Sequence, residues 1–200
     1  HKPDTRRAEH VKEDFAHHGG QIRALWSDNP RDAYRWKLFD WLHSAIQEHQ
    51  VRDLFLLGDI TENKDRHSAR LVNQVVGSLV AAFRQTDIHK IHILRGNHDG
   101  TDPNLSYFRF LGNFPSIEFI ETPFAAQFCD REVLMLPHTT NPKDAWKNVE
   151  FHLADYVFMH ATVKGAISES GAQLDGIPAG LLSTDHTSRR GFSNILLFLL

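Results

Sequence analysis

Apolar positions along this chain fall into short solid runs and two longer periodic stretches. The runs are "DLFLL", "KIHIL", "SIEFIE", "FAAQFC", "EVLMLP" and "DYVFMH". Their length, their Leu, Ile, Val and Phe content and their Gly, Pro or Asp borders predict strands. "IRALW" fits a further short strand, and the apolar tail "NILLFLL" suits another. In "YRWKLFDWLHSAIQEH", Trp36, Phe39, Leu42 and Ile46 recur at helical spacing. A second helix is expected from about Arg66 to Arg84, with Leu71, Val72, Val75, Val76, Leu79, Val80 and Phe83 on its apolar side. "SDNPRD" is a helix start: Asp28 or Asn29 can cap, Pro30 suits the first turn and Asp32 favours it. "PNLSYFRFLG" suggests a short helix, and "NPKDAWKNVEFHL" a longer one with Pro142 near its start.

The order strand, helix, strand, helix, strand, followed by several strands close together, implies an α/β layered domain. Its strands form a mixed sheet or two sheets. Residues 1–21 are charged, aperiodic and end in Gly19-Gly20, so they read as a poorly ordered lead-in. Residues 22–200 then form a single domain without internal repeats.

Composition changes this picture little. The formal net charge of −3 gives no global basic field to recruit nucleic acid. The one cysteine, Cys129, excludes an intramolecular disulfide and points to a reducing, cytoplasmic setting. No apolar run approaches the roughly 20 residues that span a bilayer. The polar first twenty residues do not read as a signal peptide. Histidine is the exception: there are 14, scattered, and position decides which of them matter.

Ligand-type side chains recur where strands end. Asp59 follows "FLLG", Asn97 and His98 follow "HILRG", and His160 follows "YVFM". The carboxyl ends of strands are where α/β folds assemble sites. Singly, each has an ordinary explanation: Asp59 as a loop cap, Asn97 as a turn former, His160 as a core histidine. Together, a carboxylate, an amide oxygen and an imidazole make a mixed O/N set. It suits a divalent ion such as Mn²⁺, Fe²⁺ or Zn²⁺. Such an ion polarises a phosphoryl oxygen and makes hydroxide available at neutral pH. His98 is then placed to protonate a leaving alkoxide, and Asp99 to orient that ring and stabilise its cation.

"LLGDITEN", "LRGNHDG" and "FMHAT" resemble three successive signature blocks of the calcineurin-like metallophosphoesterases. The resemblance runs from roughly Ile22 to Leu182, and "DNPRDAYRW" is similar to bacterial and phage members. It implies two β-sheets packed face to face with helices outside, an αββα sandwich in incomplete form. It implies hydrolysis of phosphomonoesters or phosphodiesters, nucleic acid among the candidates, by a binuclear metal centre. Asp59 would bridge both metals, Asn97 and His160 would bind the second, and His98 would act as acid or phosphate donor with Asp99 behind it. Two family blocks have no match. Where Asp-x-His is expected, "IRALW" runs into "SDNPRD", with Pro30 in place of a His and Asp28 better read as a cap. Where Gly-His-x-His is expected, only His186 in "STDHTSRRG" remains, and the sequence from about 183 is atypical. The expectation is therefore at most one well-held metal ion, in either a hydrolase or an inactive relative.

Overall fold

A computed structural model describes residues 35–102, 104–128, 130–167, 171–173, 175–177 and 195–198. The lead-in, "IRALW", the "SDNPRD" helix start, Cys129 and "STDHTSRRG" lie outside these residues.

The chain runs through α1 (Arg35–His49), β1 (Asp53–Leu56), α2 (Ala69–Gln85), β2 (Lys90–Leu94) and a 3-10 segment at Tyr107–Asn113. Then come β3 (Ile117–Ile120), β4 (Phe124–Phe128), β5 (Arg131–Leu136), the short α3 (Pro142–Ala145) and a 3-10 turn at Phe151–Leu153. β6 (Tyr156–Met159) and β7 (Ile195–Phe198) complete the described elements. Four strands form one sheet in the order β3-β2-β1-β7, and three form a second in the order β4-β5-β6. Every pairing in the first sheet is parallel. In the second, β4 and β5 are antiparallel, while β5 and β6 are parallel.

The strand runs are solidly apolar because both faces of each sheet are covered. Leu54 and Leu56 of β1 and Ile91 and Ile93 of β2 join one cluster with Leu42 and Ile46 of α1 and Leu71, Val75 and Leu79 of α2. The alternate positions, Phe55 and Leu57, then Leu94, meet Val133, Met135 and Phe158 between the sheets. The outward residues of the second sheet, Leu134 and Leu136, pack with Trp146 and Ile177. This is the expected arrangement of two packed sheets with helices outside. Phe55 sits at the centre of the intersheet layer, stacked on the His92 ring and edge-on to Phe128 and Phe158.

Two helices differ from the sequence expectation. α2 starts at Ala69 rather than Arg66, because Ser68 caps it, its side chain accepting the Leu71 N–H at 3.0 Å. "NPKDAWKNVEFHL" does not hold one helix. It is helical only over Pro142–Ala145, turns at Trp146–Val149, and makes a 3-10 turn at Phe151–Leu153. Trp146, Val149, Phe151 and Ala154 all press on the second sheet. Wrapping that face satisfies them better than one helical stripe would.

Candidate metal centre

Parallel pairing brings the carboxyl ends of β1 and β2 to one edge, and the second sheet adds the end of β6 beside them. Just after β1, Gly58 and Asp59 both take positive φ, 99° and 49°. Asp tolerates that region better than most residues, at a cost of about 1 kcal/mol. The reversal is held from the other loop. Asp99 accepts the Asp59 N–H at 3.1 Å, the Ile60 N–H at 2.9 Å and the Gly96 N–H at 2.6 Å. The Asp59 carboxylate in turn accepts the His98 N–H at 2.8 Å through Oδ1. The loops after β1 and β2 are thus tied to each other by two carboxylates. They fit only without side chains at two points. A Cβ on Gly58 would run into the His160 ring, and one on Gly96 into Asp59.

His160 leaves β6 and reaches across the sheets. Its Nδ1 donates to the Leu57 carbonyl at 2.7 Å. In the neutral ring this leaves the Nε2 lone pair facing the site. That nitrogen lies 2.8 Å from Asn97 Oδ1 and 3.5 Å from Asp59 Oδ2. With the ring neutral, its Nε2 lone pair meets the amide and carboxylate oxygens, and none of the three atoms carries a proton to share. A cation resolves such a convergence. Ligands about 2.1 Å from an ion and at right angles stand roughly 3 Å apart, so the donor set fits a divalent metal. Among the described residues no three His, Cys, Asp or Glu side chains close on one point. The converging set has an amide as its third member.

The structure therefore brings together Asp59, Asn97 and His160, with His98 beside them. Asp99 is in the same loop but in a different role from the one expected. Among the described residues no hydrogen bond joins it to the His98 ring; its oxygens accept three backbone N–H groups instead. The ring is oriented instead by the Glu62 carbonyl, 2.7 Å from Nδ1. Asp99 is fully buried. Its carboxyl is raised to about 6 in all: burial pushes it up, the Gly96 N–H pulls it down, the Asp59 charge pushes it up and the Ile60 N–H pulls it down.

Sequence reasoning missed one further side chain. His138 follows β5, and its N–H donates to the Arg95 carbonyl at 2.8 Å. Its ring stands edge-on to that of His160, with centroids 6.1 Å apart. Partial burial holds its pKa below the ordinary imidazole value, and the nearby His160 and Arg95 act in the same direction. The rule that located Asp59, Asn97 and His160, a ligand-type residue after a buried strand, also fits "EVLMLPH".

A family model described as calcineurin-like phosphoesterase matches residues 11–175. The chain belongs to this family. Family membership makes it a phosphoesterase-type hydrolase domain whose chemistry depends on divalent metal. The matched span contains Asp59, Asn97, His98, Asp99, His138 and His160. No curated protein matches the chain. No helix among the described residues is long and apolar enough to cross a membrane.

Proposed function

We propose that this chain hydrolyses a phosphoester, monoester or diester with nucleic acid among the candidates, at the edge where Asp59, Asn97, His98 and His160 meet. One observation carries the reading: with Nδ1–H given to the Leu57 carbonyl, the neutral His160 ring turns its Nε2 lone pair toward Asn97 Oδ1 at 2.8 Å and Asp59 Oδ2 at 3.5 Å. Asp59, Asn97 and His160 would hold a divalent ion, with Mn²⁺, Fe²⁺ or Zn²⁺ the chemical fit. When bound, such an ion supplies hydroxide at neutral pH and positive charge against the phosphoryl group.

The chain's own residues do the rest. The Leu57 carbonyl fixes the His160 tautomer, so the ring presents Nε2 without rearranging. The Glu62 carbonyl accepts the His98 Nδ1–H, so Nε2 carries a proton to give only when the ring is the imidazolium cation. As hydroxide adds to phosphorus and the P–O ester bond breaks, the departing oxygen takes that proton. Asp99 keeps the two loops in register and takes no part in proton transfer. The test is hydrolysis of an activated aryl phosphodiester with Mn²⁺, comparing the chain with His98→Ala and Asp59→Ala. Equal rates for all three overturn the proposal.

A second reading is a relative that binds one metal ion without turnover. It is supported by the donor count, since the described residues supply one converging set. Tight uptake of Mn²⁺ together with no hydrolysis under any of the three metals selects it.

A further inference from the structure

We propose that His138 is a substrate-binding residue that donates its ring N–H to a non-bridging phosphoryl oxygen of the phosphoester held beside Asp59, Asn97 and His160. This rests on the reading of the site given above.

Four observations lead there. First, placement: β5 and β6 are parallel neighbours with Leu136 opposite Met159, so His138 and His160 leave adjacent strand ends at the same edge. The His160 N–H donates to the Leu136 carbonyl at 3.1 Å, which closes the gap between the two exits. Second, anchoring: the His138 N–H is bonded to Arg95, the residue that opens the Gly96–Gly100 loop. Its position is therefore fixed relative to Asn97 and His98, and the buried Pro137 before it restricts the backbone further.

Third, availability: the His138 side chain is only half-buried, and neither ring nitrogen has a hydrogen-bond partner among the described residues. Asp59, His98 and Asp99, and the ring of His160, all have polar partners. A neutral imidazole carries one N–H donor, and here the loop bonds do not use it. Fourth, exclusion: His138, Asp59 and His160 do not close on a common point as a metal-holding group. The ring borders the centre without being a ligand of it. A donor at the rim of a site for an anionic group, free of protein partners, is placed for the oxygens of that group.

The experiment is calorimetric titration of inorganic phosphate into the Mn²⁺-loaded full chain. His138→Ala should weaken phosphate binding about 10-fold, the loss of one hydrogen bond to a charged oxygen. Its affinity for Mn²⁺ should stay within about twofold of the parent's, because the ring is not a ligand. His138→Asn, which keeps a short N–H donor, should recover part of the loss. With an aryl phosphoester the same change should raise KM more than it lowers kcat. Unchanged phosphate affinity in His138→Ala overturns the inference while leaving the metal site standing. A fall in Mn²⁺ affinity as large as that of His160→Ala also overturns it, since the ring would then be a ligand. A parent chain that takes up no Mn²⁺ overturns the reading of the site itself, and this inference with it.

Discussion

The Asp99 carboxylate accepts the Asp59 N–H at 3.1 Å, across 40 residues of sequence. The same carboxylate takes the Ile60 and Gly96 N–H groups. It closes the loop after β1 onto the loop after β2 and sets where the Asp59 side chain points. Asp99→Ala leaves three buried donors without an acceptor and should cost at least ~2 kcal/mol. Asp99→Asn keeps one acceptor oxygen and should cost less. Urea denaturation of the metal-free chain measures both, and equal stability for Ala and parent would contradict this role.

The two loops also depend on close backbone approach. Gly58 has φ 99° and abuts the His160 ring, so Gly58→Ala combines backbone strain with a collision. We expect a loss of at least ~1–2 kcal/mol and weakened Mn²⁺ binding, because the ring that must yield is a ligand candidate. Gly77, in the middle of α2 with open space around it, is the control. Gly77→Ala should be neutral or stabilising by up to ~1 kcal/mol.

His98 is expected to act on the proton and not on the metal. His98→Ala should lower kcat by roughly 10²–10⁴ while Mn²⁺ affinity changes little. Parallel steady-state kinetics and metal titration separate the two. Loss of metal binding in step with activity would assign His98 to the ligand set instead.

Much of this was legible in the sequence, for physical reasons. "DLFLL" and "KIHIL" read as strands because a parallel strand covered on both faces cannot alternate with polar residues. Asp59, Asn97 and His160 stood out because polar side chains directly after such runs must lie at one sheet edge. What stayed hidden depends on tertiary bonds. The partners of Asp99 are backbone amides, two of them some forty residues away, and the partner of the His98 ring is the Glu62 carbonyl. Backbone groups leave no mark in a sequence. "NPKDAWKNVEFHL" carried a helical signal that lost to the burial of Trp146 and Phe151 against the second sheet.

Phe158 of β6, two residues before His160, packs on Phe55 in the intersheet layer. Phe55 is fully buried there, between His92, Phe128 and Phe158. Phe55→Ala should cost roughly 3–5 kcal/mol, read from the shift in the urea midpoint. A cost below ~1 kcal/mol would mean that the sheets do not depend on this contact.

The metal site we propose is built by Asp59, Asn97 and His160 together. Calorimetric titration of Mn²⁺ into the metal-free chain and into Asp59→Asn, Asn97→Ala and His160→Ala tests it directly. The parent should bind saturably, and each variant should lose at least ~10-fold in affinity. Binding of equal strength in all four proteins would contradict it.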